Sequence, residues 1–127
     1  MASYWQLTVR SELCAAHALR HYKGKCENPH GHNFAVEAVV EGSVLSADTE
    51  LLADFSDLKA DLKSVLATLD HKDLNLTPPF DTLNPSSENL SRYIYQSLAP
   101  LVQKRGVRLY SVTVSEKAAQ SATYMEK

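Results

Sequence analysis

"YWQLTVR" (residues 4–10) carries a clear strand signal. Trp5, Leu7 and Val9 alternate with Gln6, Thr8 and Arg10, the two-residue period of a strand with one face in a core and the other in water. A second strand follows at "FAVEAVVE" (34–41), after a turn-rich connection, "HYKGKCENPHGH" (21–32), punctuated by glycine and proline. The two strands are expected to pair as a long hairpin.

Two helices come next. Asp54 is placed to cap a run whose apolar positions Phe55, Leu58, Leu62, Val65, Leu66 and Leu69 recur at steps of three and four. "NPSSENL" (84–90) opens the second helix, with Ser86 or Ser87 as cap and Glu88 in the first turn. Its apolar face is Leu90, Ile94, Leu98 and Leu101, and Pro100 leaves its final turn open. Residues 107–115 and 121–126 read as closing strands. The order β-β-α-α-β-β predicts an α+β domain, a four-stranded antiparallel sheet with two helices on one face. At 127 residues the chain suits one domain, 1–127, with a real core.

Composition narrows the function classes. With 44% hydrophobic and 22% charged residues, the chain has ordinary globular proportions. A formal net charge of -2, with both signs mixed along the chain, argues against nucleic-acid binding through bulk charge. No apolar run nears the roughly 20 residues of a membrane span, and the first residues lack a basic-then-apolar signal. A cytoplasmic setting is therefore expected, with no membrane partner. There the two cysteines, Cys14 and Cys26, stay unpaired. Cys14, in "LCAAH", reads as a small core residue, whereas Cys26 sits in the turn-rich loop beside candidate metal ligands.

His30 and His32 are one residue apart, so on an extended segment they share a side, with Gly31 between them. His17 lies near the end of the first strand, where the hairpin brings it opposite this pair. Three neutral imidazoles make an open zinc site with a fourth position for water or substrate. Two geometries remain open on these residues. Cys26 either closes the site as a fourth, structural ligand, or keeps its sulfur for chemistry as a thiolate base near a cation.

Two further features suit proton transfer and ligand binding. In "LDHKDLN" (69–75), Asp70 adjoins His71, and a carboxylate that fixes an imidazole tautomer equips it for proton transfer. Glu116, in "VTVSEK" (112–117), ends a strand; such a carboxylate pairs with the N–C–N edge of a heterocycle as it does with a guanidinium.

"AAHAL", "GKCENPHGHNF", "ADFSDLK", "LDHKDLN", "NPSSENL" and "VSEK" occur in an order and spacing that resemble the 6-pyruvoyl-tetrahydropterin synthase family, which includes 6-carboxy-tetrahydropterin synthase. The resemblance spans essentially the whole chain. One departure is Leu13, where the family commonly has an aromatic residue. The resemblance implies a tunnelling fold whose sheets join as a barrel in trimers, usually stacked as hexamers. It implies Zn2+ on His17, His30 and His32, with Cys26 as catalytic base. Asp70 and His71 become its proton-transfer partners, reaching the site across a subunit interface. Glu116 would anchor the pterin, with Ser87 and Glu88 lining its pocket. On this reading Cys26 is a catalyst beside the zinc.

The family's substrate is 7,8-dihydroneopterin triphosphate, and Lys23, Lys25 and Lys72 are candidates for holding its phosphates. The short C-x-x-x-H-G-H loop resembles bacterial 6-carboxy-tetrahydropterin synthases of the queuosine (7-deazaguanine) pathway, lyases that release acetaldehyde and triphosphate. Alternatives are 6-pyruvoyl-tetrahydropterin synthesis by triphosphate elimination, or a folate-branch reaction giving 6-hydroxymethyl-dihydropterin, in which a loop glutamate such as Glu27 takes part. From other classes, a metal-dependent hydrolase and a structural zinc module also suit three histidines. Glu116 and the Asp70–His71 pair speak against the hydrolase, and binding of Cys26 to the metal would mark the structural module.

Overall fold

The computed structural model describes residues 3–22 and 30–127, with His30 and His32 described by their backbone alone. β1 (Trp5–His17) and β2 (His30–Gly42) pair antiparallel over their full length, from Trp5 opposite Gly42 to His17 opposite His30. β1 continues well past Arg10. Leu13, Ala15 and His17 keep the inward positions and are buried, but the small residues around them hide the period.

α1 (Phe55–Leu66) starts where Asp54 accepts a hydrogen bond from the Ser56 amide at 2.8 Å. β3 (Lys72–Asp73) follows, then a short 3-10 turn over Leu74–Leu76. α2 (Ser87–Gln103) is capped by Ser86, whose hydroxyl accepts from the Asn89 amide at 3.2 Å. The helix runs through Pro100 to Gln103; Pro100 and Gln96, whose carbonyl loses its helical donor, are both exposed residues. β4 (Arg108–Lys117) and β5 (Gln120–Tyr124) close the chain.

The sheet has five strands in the order β3-β1-β2-β4-β5, not the four expected, and it is not wholly antiparallel. β3 lies parallel to β1, Ala15 opposite Lys72 and Ala16 opposite Asp73. Its cause lies just before it. Asp70 accepts from the Cys14 amide at 2.9 Å, and the His71 amide donates to the Cys14 carbonyl at 2.5 Å. These bonds dock the chain leaving α1 along the β1 edge, and His71 turns it there at a φ of 58°. Two residues carry no periodic signal, so sequence patterning passes over such a strand.

Both helices cover one face of the sheet. Val36, Ala38 and Val40 of β2 and Val112 and Val114 of β4 are buried beneath Leu58, Leu62 and Val65 of α1 and Leu90, Ile94 and Leu98 of α2. Val102 completes the α2 face, four residues after Leu98, while the expected Leu101 is half-buried. Phe55, expected on the α1 face, is 48% exposed in the first turn. Cys14 is not a core residue. Its neighbours Leu13 and Ala15 take the inward positions, so alternation places it on the uncovered face, exposed, with Sγ donating to Asn33 Oδ1 at 2.6 Å.

The end of α2 is tied to the middle of α1 by charge. Arg105, just after α2, donates from Nε to Asp61 Oδ2 and from a terminal nitrogen to Asp61 Oδ1, both at 2.8 Å. A two-point pair on a buried carboxylate is stronger than an exposed ion pair. Asp61→Ala should lower Tm by about 5 °C, read by thermal unfolding at low and high salt. An unchanged Tm would show that the pair adds no stability.

Candidate functional site

The hairpin geometry gathers the first candidates. His17 ends β1 and is fully buried. In the β1–β2 register His30 is opposite His17 and His32 is opposite Ala15. Counting in twos along each strand, positions 17, 30 and 32 fall on the same face, at the same end of the hairpin.

His17 Nδ1 lies 2.8 Å from the Pro85 carbonyl oxygen. A carbonyl can only accept, so Nδ1 carries a proton, and in the neutral ring the lone pair is then on Nε2. That is the tautomer required of a metal-binding imidazole whose other nitrogen is anchored. The edge of Phe34 meets the ring, centroids 5.1 Å apart and planes at 81°, which fixes its tilt. Nε2 is 3.8 Å from Glu116 Oε1, and Ser87 Oγ donates to that same oxygen at 3.3 Å. β1, the start of α2 and the end of β4 therefore converge through His17, Ser87 and Glu116.

Two clefts each share one residue with this cluster. A cleft of about 310 Å³ is walled by Glu12, Asn33, Ala35, Ser115, Glu116 and Lys117. A second, of about 240 Å³, is walled by Ser87 and Glu88 against Gln120, Ser121 and Ala122. Glu88 is exposed, one position from the Ser87–Glu116 contact.

Asp70 and His71 form a separate group. Asp70 Oδ2 is 3.6 Å from His71 Nε2, and the His71 side chain is 79% exposed. They immediately precede β3, the outermost strand, with β1 and β2 standing between it and β4, which carries Glu116. The pair thus lies beside β1, which carries His17, and away from β4. Lys72 donates from Nζ to the Thr68 carbonyl at 3.1 Å, a lysine satisfying the chain end after α1. Cys26, Lys23, Lys25 and Glu27 lie outside the described residues, as do the side chains of His30 and His32. Among the described residues, no three His, Cys, Asp or Glu side chains group to hold a metal.

Sequence reasoning missed Pro85, whose role rests on its carbonyl rather than on its side chain. It also missed Arg20, Asn75 and Asn84, which fasten the chain leaving β1. The two asparagines, in a loop crowded with proline and threonine, were the available signal, because such side chains bind nearby backbone in place of a ladder.

Residues 6–127 match a family model described as 6-pyruvoyl tetrahydropterin synthase. The chain belongs to this family. A 6-carboxy-5,6,7,8-tetrahydropterin synthase of Synechocystis sp. is 36% identical over 125 residues, 94% of this chain and 92% of that protein. A 6-pyruvoyl tetrahydrobiopterin synthase of Dictyostelium discoideum is 35% identical over 103 residues, 80% of this chain and 73% of its own. The solved structure of 6-pyruvoyl tetrahydropterin synthase from Caenorhabditis elegans superposes with a TM-score of 0.87 at 27% identity, covering 98% of this chain and 97% of that one. The synthase family thus embraces relatives of both kinds, at closely similar identity. Among the described residues no helix is long and apolar enough to cross a membrane.

Proposed function

We propose that this chain is a zinc-dependent lyase that converts 7,8-dihydroneopterin triphosphate and one water to 6-carboxy-5,6,7,8-tetrahydropterin, acetaldehyde and triphosphate. One observation carries the reading. A buried histidine in the metal-binding tautomer stands 3.8 Å from a carboxylate that a serine steadies, at the hairpin end where two more histidine positions share the face.

Each residue has a part in this reading. His17, His30 and His32 would hold zinc, which when bound supplies a Lewis acid that makes the substrate's side-chain hydroxyls and neighbouring C–H groups more acidic. Glu116 accepts the paired N–H donors of the pterin edge, and Ser87 orients Glu116 by donating to Oε1. The cleft of about 310 Å³ at Glu116 is at the small end of the range for ligand sites, which suits a bicyclic ring. Cys26 takes a proton as thiolate. Asp70 steadies His71, which relays that proton. His71, exposed at the edge of the sheet, is open to a neighbouring subunit's site, which it serves in this reading, and the working species is a homo-oligomer, a trimer or hexamer. Lys25, in the loop of Cys26, is a candidate for the triphosphate.

A second reading is favoured by a specific finding: the Dictyostelium discoideum relative, at 35% identity, is a 6-pyruvoyl tetrahydrobiopterin synthase. There the same base and metal would eliminate triphosphate without cutting the carbon chain. Incubating the protein with 7,8-dihydroneopterin triphosphate and identifying products by mass spectrometry separates the two. 6-Carboxytetrahydropterin with acetaldehyde supports the first reading, and 6-pyruvoyl-tetrahydropterin moves the assignment to the second. 6-Hydroxymethyl-dihydropterin assigns the folate branch, and no consumption of the pterin defeats all three.

A further inference from the structure

Beyond His17, the chain is fastened by side chains distant in sequence. Asn75 accepts from the Ala18 amide at 2.8 Å and donates to the Ala18 carbonyl at 2.9 Å. Asn84 treats Arg20 the same way, accepting from its amide at 2.8 Å and donating to its carbonyl at 3.1 Å. The two amides stand where a neighbouring strand would otherwise supply backbone partners. The Arg20 guanidinium then reaches back into the loop between β3 and α2. One terminal nitrogen donates to the Leu83 carbonyl at 3.0 Å, and the other to the carbonyls of Asn75 at 3.2 Å and Phe80 at 2.7 Å. Pro85, next in the chain after Asn84, carries the carbonyl that accepts from His17 Nδ1 at 2.8 Å.

We infer that Arg20 is a positioning residue for the metal-binding histidine. It gathers three carbonyls of the loop onto one planar fork and thereby fixes the Pro85 carbonyl against the His17 ring. That contact sets which ring nitrogen carries the proton, so Arg20 acts on zinc affinity without touching the metal. Lysine does not replace it, because a single ammonium lacks the rigid fork that serves separated acceptors together. The inference rests on the zinc assignment proposed above. Removing an outer partner of a metal-binding histidine typically weakens metal affinity ten- to a hundredfold.

The test uses the full chain and Zn2+ alone, with affinity read by chelator competition. Arg20→Lys should bind zinc about tenfold more weakly than the unsubstituted protein. Asp61→Ala, which loosens the tie between α1 and α2 instead, should bind it equally well. A second measurement uses the metal-free protein, in which the ring 15N shifts of His17 report its tautomer. The unsubstituted chain should show the Nδ1–H form and Arg20→Lys a mixture of forms. Arg20→Lys with unchanged zinc affinity and unchanged ring shifts overturns the inference. So does equal weakening in Asp61→Ala, which would mean that general loosening accounts for the loss. Should the unsubstituted chain bind no zinc, the ligand assignment falls. The ring shifts then still decide whether Arg20 positions His17.

Discussion

Cys26→Ala should lose turnover by about a hundredfold or more, within the usual contribution of a general base, and should keep its zinc. The two roles open to one sulfur predict different losses. If the three histidines complete the protein's share of an open site, deleting the thiol removes the proton acceptor and leaves the ligand set whole. His17→Ala should do the opposite and lower zinc content, because it deletes a proposed ligand whose orientation Pro85 and Phe34 fix. Metal analysis showing zinc lost from Cys26→Ala would return Cys26 to a structural, fourth-ligand role. The same variant tests the shared site. Mixed with His71→Ala protomers, it should regain activity that neither parent has, since some interfaces then carry both intact residues. Oligomers that have exchanged subunits and remain as inactive as their parents would mean that one chain supplies the whole site.

Glu116→Ala should weaken pterin binding by about a hundredfold while leaving zinc in place. The carboxylate is expected to accept two hydrogen bonds from the heterocycle, and bonds to a charged acceptor contribute about 1.5 kcal/mol each at the low end. The loss should fall mainly on KM, because the ring is anchored equally before and during the reaction. Equal loss from KM and kcat would recast Glu116 as a participant in the proton transfers, a role its 3.8 Å approach to His17 Nε2 also permits. Retained affinity would remove it from the pterin site.

Much of the fold was legible because local signals agreed with the tertiary outcome. Asp54 and Ser86 cap the helices at the expected places, and their apolar faces meet the sheet as their spacing predicts. The hairpin was legible too, and with it the shared face of positions 17, 30 and 32. What escaped depends on backbone groups or on the protein as a three-dimensional object. β3 exists because Asp70 and His71 bond the backbone of Cys14. The position of Cys14 follows from parity along a strand whose second half is too rich in small residues to display it. Arg20 gives no sign in the sequence that its targets are three carbonyls more than fifty residues away. The Ser87–Glu116 contact likewise joins residues named separately, and only the packing of α2 on β4 makes them neighbours.

The His17–Pro85 contact spans 68 positions, and Glu116 reaches the cluster only after β4 has paired with β2. Contacts this distant close late, since the entropy of forming large loops is met before they return any energy. The anchored form of His17 therefore has no early, local precursor, although positions 17, 30 and 32 share one hairpin; under the zinc assignment proposed above, the metal would select finished molecules rather than template folding. In stopped-flow refolding, helix signal should recover before competence to capture zinc. Simultaneous recovery from the first observable phase would indicate that the histidines assemble ahead of the sheet.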